Sequence, residues 1–216
     1  MPDFPQNERN TVKRYPTRGV YDRETIFGIL DEALVCHVSF ELDGQPFIIP
    51  TIHARLGDRL LLHGLKGGRL LNHIDAGNPL AIAVTLLDGL VLARTVFNHS
   101  MNYRSAVLYG RGRTIVDTEH KLTALRALTE HVCPGRWSDA RQPTPKELKA
   151  TTIVEIDIED ASAKIRQGPP GDAGDELDHP VWAGVLPFET VTSEPVADPR
   201  LDDVHAVPDY VRDYRR

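Results

Sequence analysis

Between Cys36 and His63 the chain alternates, turns and alternates again, and this commits it to antiparallel β structure. Cys36, Val38, Phe40 and Leu42 fall on one side of an extended run, with His37, Ser39 and Glu41 on the other. A period of two marks a strand with one buried face. Asp43-Gly44 follows at once, a pair suited to the left-handed backbone of a two-residue hairpin. The return strand is expected over residues 45–55. Gly57-Asp58 marks a second tight turn, and residues 59–63 a third strand. Three strands joined by such short turns predict a meander.

The rest of the chain continues the pattern. Residues 80–87 and 89–96 read as strands joined near Asp88-Gly89, residues 98–105 as a polar interruption, and residues 105–116 and 151–158 as further strands. Gly110 and Gly112 signal a bulge or a close backbone approach. Asp22 suits the N-cap of a helix whose apolar face is Ile26, Ile29, Leu30, Ala33 and Leu34. A short helix carries Leu70, Leu71 and Ile74, and Gly77-Asn78-Pro79 stops it. A third starts at Asp117 or Thr118 and bears Leu122, Leu125, Leu128 and Val132; Pro134-Gly135 ends it. Thr144-Pro145-Lys146-Glu147 has the spacing of a capping box. Six or seven strands, mostly antiparallel, with helices at the ends, predict a mainly β (β+α) fold: an antiparallel β-barrel with peripheral helices.

Composition sets the boundaries. Residues 1–20 form an arm rich in Pro, Asn, Thr and Arg, expected to be loose; residues 21–166 form the barrel domain; residues 167–216 form a Pro-, Gly- and Asp-rich extension. That extension holds eleven acids against four arginines, a net of −7 within a total of −6, which leaves the first 166 residues near +1. A pocket of basic residues in the barrel therefore meets no strongly acidic surround, while the bulk charge argues against a nucleic-acid partner. Residues 181–187 are too apolar for a free tail and are expected to dock on the barrel or on a neighbouring subunit. No apolar run approaches the roughly 20 residues needed to span a bilayer. The polar N-terminus does not read as a signal peptide, so a cytoplasmic protein without membrane partners is expected. Two cysteines are too few for a disulfide framework, and Cys36 reads as a small buried hydrophobe.

Chemistry concentrates in LLHGLKGGRLL, residues 61–71. Its glycines let backbone N–H groups turn toward one point, and Lys66 and Arg69 add full charges there. A phosphate site is one reading and a solvated strand–helix connection the other. No Lys-Ser/Thr pair follows the glycines, so it is not a Walker loop. His63, one step away, is either structural or turned toward a ligand ring, where it can donate a proton. Asn102-Tyr103-Arg104-Ser105 combines an amide, a ring, a guanidinium and a hydroxyl, a set that clamps a planar anionic ligand or simply makes a polar loop. The nine histidines include no HExxH pair and no zinc-like pattern with cysteine, so no metal site is expected. There is no G-x-S-x-G elbow and no G-x-G-x-x-G fingerprint.

Five segments together resemble the flavin-binding split barrels related to pyridoxamine 5'-phosphate oxidase, in their nitroimidazole-resistance (Nim-type) and flavin-nucleotide-binding branch. They are Phe47-Ile48-Ile49-Pro50-Thr51, Leu62-His63-Gly64 with Lys66-Gly67-Gly68-Arg69, Gly77-Asn78-Pro79, Asn102-Tyr103-Arg104-Ser105, and Leu108-Tyr109-Gly110-Arg111-Gly112. The likeness spans about residues 20–158. It implies a six-stranded Greek-key split barrel that forms a homodimer, with FMN in the cleft between subunits. By this resemblance Ile48, Ile49, Pro50 and Thr51 run along the isoalloxazine, and His63 and Gly64 approach the ring and ribityl phosphate. Lys66 and Arg69 bind the phosphate, and Tyr103, Arg104 and Ser105 complete the site, from the same or the partner subunit. His63 is the candidate catalytic residue. The segment around Trp182 would cover the site. The implied activity is an FMN-dependent oxidoreductase reducing a small aromatic or quinone-like acceptor. The alternatives are a flavin carrier or sensor, or a barrel that binds haem or a deazaflavin. The oxidase's C-terminal Arg-x-His pattern is absent, which argues against oxidation of pyridoxamine phosphate itself, and Gly67-Gly68 replaces the Ser or basic residue of many relatives.

Overall fold

The computed structural model describes residues 3–201 and 206–215, so His205 and Arg216 lie outside the described residues. The strands are β1 (Gly19–Val20), β2 (Val35–Leu42), β3 (Gln45–Ile52), β4 (Ala54–Leu56), β5 (Arg59–Leu65), β6 (Leu80–Leu92), β7 (Ser100–Thr114), β8 (Thr151–Arg166) and β9 (Gly184–Pro187). The helices are α1 (Arg23–Glu32), α2 (Arg69–Asp75), α3 (Thr118–Val132), α4 (Arg136–Asp139), α5 (Pro145–Ala150) and α6 (Asp209–Arg212). The strands form one antiparallel sheet in the order β3-β2-β6-β7-β8-β5-β4, with β1 beside β8 and β9 beside β6. The two ends of this sheet curl toward each other, and β3 comes near β5 without pairing to it. That gap is the split in the barrel.

The expected meander is corrected at one residue. The predicted strand over 45–55 breaks at His53, which is fully buried and bonds through Nε2 to the Leu30 carbonyl at 3.0 Å. The break sends β3 to one edge of the sheet and β4 to the other, so β3 pairs with β2 while β4 pairs with β5. The strands after it are longer than expected. The predicted pair over 80–96 is one strand, β6, with a bulge between Leu87 and Gly89. The expected polar interruption after Asn98 is mostly strand, because residues 100–110 of β7 pair with β6 on one side and residues 103–114 with β8 on the other.

The core lies inside the barrel. Cys36, Val38 and Phe40 of β2 pack with Ile82 and Val84 of β6, Leu108 of β7, Ile156 of β8, and Ile26 and Leu30 of α1. α1 starts where expected, with the Asp22 side chain accepting from the Thr25 amide at 2.8 Å. A smaller cluster lies outside the barrel wall, where Leu61 and Ile153 meet Ala124 and Leu128 of α3. β5 is thus covered on both faces: Leu60 and Leu62 point inward, and Leu61 points to α3.

Both chain ends are tied to this frame. The N-terminal arm is not loose: Phe4 is 2% exposed and meets Phe27 edge-on, and Asn7 and Arg9 bond to Asp160. In the extension, β9 adds to β6. Trp182 stays 66% exposed. Among the described residues no helix is long and apolar enough to cross a membrane.

The two thiols differ. Burial in the barrel pushes the Cys36 thiol up to about 12, whereas Cys133 is half-buried at the end of α3. A thiol reagent at pH near 8 is therefore expected to label one cysteine of the native protein and both after unfolding, because the thiolate is the reacting species. Mass spectrometry of the labelled peptides checks this; labelling of native Cys36 would contradict it.

Candidate functional site

The period of two along β5 places His63 on the same outer face as Leu61, toward α3. There it lines a cleft of about 280 Å³ with Ile52 from the end of β3, and Leu125, Leu128, Val132 and Cys133 from α3 and its C-cap. The wall is apolar apart from Thr129 and Arg136. The His63 ring makes no hydrogen bond or ion pair among the described residues. Other histidines are engaged. His53 and His131 hold the carbonyls of Leu30 and Ala33 at 3.0 and 2.8 Å, with their rings 5.3 Å apart. A carbonyl only accepts, so Nε2 carries the hydrogen in both, and the pair satisfies orphan carbonyls at the C-terminal end of α1. His73 bonds to the Pro79 carbonyl at 3.0 Å and packs on Phe40. The rings of these three are thus spent on structural contacts.

Beyond His63, Gly64 points into the barrel: a Cβ there would sit 3.1 Å from Leu71 Cδ1. The turn then closes by a bond from the Gly68 amide to the Leu65 carbonyl at 3.2 Å, with Gly67 at φ 86°. That φ belongs to the left-handed region that glycine adopts without strain. Lys66 and Arg69 stand exposed on either side. The Arg69 guanidinium lies 4.4 Å over the Phe47 ring, which stacks on Phe40 at 5.4 Å. This column ties the basic turn to β3. Along β3, Phe47 and Ile49 pack against the core, while Ile48 is 67% exposed and Pro50 is also exposed. β3 is an edge strand, so the main-chain groups on its open side face the split rather than a neighbouring strand. The segment Ile48, Ile49, Pro50 and Thr51, the pair His63 and Gly64, and the turn with Lys66 and Arg69 thus converge along the β3 and β5 edges.

The fourth expected group does not join them within one chain. His63 is opposite Ile153 on β8, whereas Arg104 is opposite Ile165. Twelve residues of strand separate those partners, roughly 40 Å at about 3.3 Å per residue. Arg104 is also held locally. Its guanidinium bonds to both carboxylate oxygens of Glu32 and to Asp88 at 2.8 Å, and these bonds, that to Glu32 foremost, raise its pKa further above the ordinary arginine value. The Ser105 hydroxyl donates to the Lys164 carbonyl at 3.3 Å, and Tyr103 sits opposite Arg166. Among the described residues there is no group of three or more His, Cys, Asp or Glu side chains that could hold a metal ion.

Sequence reasoning missed the wall opposite His63. Leu125, Leu128 and Val132 repeat at helical spacing on α3, and part of that face lines the cleft. The signal that could have found it was Cys133 and Arg136 following directly on that face.

Comparison with known proteins agrees with this architecture. No curated protein matches the chain. Among solved structures, the flavocytochrome Anf3 from Azotobacter vinelandii is 37% identical over 97% of both chains, with a TM-score of 0.90. A FAD and heme binding protein from Mycobacterium smegmatis is 36% identical over 92% of this chain and 97% of that one, with a TM-score of 0.87. A protein assigned to 5-nitroimidazole antibiotic resistance from Bacteroides thetaiotaomicron shares 23% identity over 68% of this chain and 86% of that one, with a TM-score of 0.58, a likeness of fold alone. The pyridoxamine 5'-phosphate oxidase family profile matches residues 22–165, the whole barrel from the cap of α1 to the end of β8. The chain is therefore a split-barrel member of the pyridoxamine 5'-phosphate oxidase family.

Proposed function

We propose that this protein is a flavin- and haem-binding oxidoreductase. The observation that carries the reading is the His63 imidazole, free of other bonds, on the wall of an apolar cleft beside an open strand edge and a basic turn. The donor set fits both groups. Haem needs an imidazole for its iron and apolar surface for its ring, which His63 with Leu125, Leu128 and Val132 supplies. The FMN moiety, free or as part of FAD, needs main-chain groups along its ring and cations at its phosphate. The β3 segment from Ile48 to Thr51, with Lys66 and Arg69, supplies these. The 37% and 36% identical relatives, a flavocytochrome and a FAD- and heme-binding protein, support the pairing.

Bound flavin would supply hydride and one-electron chemistry and haem one-electron chemistry. The chain's own residues do the rest. Lys66 and Arg69 neutralise the phosphate, and the Phe47 ring under Arg69 holds that guanidinium near β3. The apolar face of α3 keeps water from the cleft. Tyr103, Arg104 and Ser105 enter the same site only from a second copy, so the functional unit is a homodimer with the flavin between subunits. A small aromatic or quinone-like molecule in the His63 cleft, with FMN as the sole cofactor, is the second reading; the apolar wall favours it equally.

The visible spectrum separates the two. Wild-type protein supplied with haem and flavin is expected to show a Soret band and flavin bands, and His63→Ala to lose the Soret band while keeping flavin. A wild type without a Soret band leaves the flavin-only reading. Absence of flavin bands after FMN and FAD are both supplied overturns the proposal.

A further inference from the structure

β8 ends on a buried arginine that no acid among the described residues compensates. Arg166 is 8% exposed, and a charged side chain that deep is almost always paired with an opposite charge. Its partners are neutral. Nη1 donates to the Asn102 side-chain oxygen and to the Gly168 carbonyl at 3.0 Å, and Nη2 donates to the Pro169 carbonyl at 3.0 Å. Of the five N–H donors of a guanidinium two remain, and Nε is buried with no partner. Nε and Nη2 share one edge of the planar group, an edge that takes both oxygens of a carboxylate or phosphate. Burial and the nearby Arg18 both lower the pKa of Arg166. The period of two extends the cluster. Lys164 lies on the same face, opposite Gly19, which brings the turn Pro16–Arg18 beside it. Among the described residues neither Arg18 nor Lys164 meets a carboxylate, and Arg18 lies over the Tyr15 ring at 4.3 Å. Tyr103, half-buried and directly opposite Arg166, adds an aromatic ring to this face. The acids of the flanking elements are turned to other work: Asp88 and Glu32 hold Arg104 on the opposite face, and Asp160 holds Asn7 and Arg9.

We infer that Arg166, Lys164 and Arg18 form a binding site for a small planar oxyanion, a carboxylate or phosphate attached to a ring, with the oxyanion on the cations and the ring against Tyr103. The site stands apart from the flavin reading above. Like charges gathered on one face repel one another, and an anion between them removes that cost. Arg166 is recessed, so only a group as small as a carboxylate or phosphate reaches it, while Arg18 and Lys164 are half-buried and stand nearer to solvent. Arg104, next to Tyr103 in the chain, is spent on Asp88 and Glu32. The cation that Tyr103 meets is instead its cross-strand partner, which comes from 63 residues further on.

The test is calorimetric titration of flavin-free protein with benzoate, acetate and inorganic phosphate at fixed ionic strength. The wild type is expected to bind benzoate saturably, at least about threefold tighter than acetate through the ring on Tyr103, with phosphate competing. Arg18→Gln with Lys164→Gln removes two cations and is expected to weaken benzoate at least about tenfold with an unchanged melting temperature. Arg166→Gln is expected to abolish binding. Where that variant fails to fold, the double variant carries the test, because it leaves the bonds from Arg166 to Asn102, Gly168 and Pro169 in place. Tyr103→Leu is expected to bind benzoate and acetate alike. A wild type that binds none of the three anions, or a double variant that binds benzoate as the wild type does, overturns the inference. Displacement of benzoate by FMN also overturns it, since the cations then hold the flavin's phosphate from a second copy. So does a double variant that falls from dimer to monomer, since the cations then hold an acid of that copy.

Discussion

Alanine at both Lys66 and Arg69 is expected to raise the flavin dissociation constant at least about a hundredfold. Each charge-assisted hydrogen bond to a phosphate is worth roughly 1.5–3 kcal/mol, and 1.4 kcal/mol is a factor of ten. Both residues are exposed, and the fold does not rest on them. Arg69 adds its contact over Phe47, so Arg69→Ala also frees the Phe47 ring. Arg69→Lys keeps the charge and loses the planar fork, and is expected to fall between the wild type and Arg69→Ala. The measurement is flavin fluorescence at fixed ionic strength, with the salt dependence recorded, because a phosphate held by exposed cations weakens as salt rises. Unchanged affinity in the double variant moves the phosphate to another place on the molecule.

The second large effect concerns stability. Gly110→Ala is expected to destabilise the protein by about 3 kcal/mol or more, the upper range for overpacking in a tight core. A Cβ at Gly110 would stand 2.0 Å from the Asp157 carbonyl oxygen, and that atom is backbone in a paired strand. It sits where the β7–β8 register shifts, between Tyr109 and Gly110, so relief requires both strands to part. Gly112 is nearly as tight, with Ile74 Cγ2 and the Glu155 oxygen each 2.7 Å from its would-be Cβ. Gly28 is the control. It lies exposed on α1 with nothing within 4 Å, and Gly28→Ala is expected to stabilise by roughly 0.5–1 kcal/mol through lower unfolded-state entropy and better helix propensity. Urea unfolding midpoints compare the two variants with the wild type. A Gly110→Ala protein as stable as the wild type would mean that the β7–β8 bulge is not rigid.

The local elements were legible because their causes are local. Asp22, Asp117 and Thr144 cap α1, α3 and α5 through their own side chains, as the spacing of each N-terminus implies. Cys36, Val38 and Phe40 are buried as the alternation requires, and Leu42 leaves the core only where the hairpin turns. The misread stretches share another cause. Residues 159–166 of β8 and 100–104 of β7 carry too many polar side chains to look like strand. They are strand because longer neighbours pair with them: residues 100–104 lie against β6, and residues 160–166 lie against residues 103–109 of β7, with Asn102 accepting from Arg166. Cross-strand bonds outweigh β propensity, which is weak and depends on context.

The same division runs through the candidate site. Alone, the sequence marked out the candidate residues: the glycine turn with its two cations, the histidine before it, and the strand segment Ile48–Thr51. It determined as well that α3 has an apolar face. The tertiary structure decided which of these meet. Burial of His53 under α1 splits one expected strand into β3 and β4 and puts β3 at the open edge facing the turn. The β8 register puts Arg104 a full strand length from His63. The packing of α3 on β5 makes a cleft at one end of the helix and a lysine pocket at the other. Turns and caps are settled by bonds between residues three or four apart, whereas strand order and register depend on burial and pairing between residues a hundred apart, which no short stretch of sequence encodes.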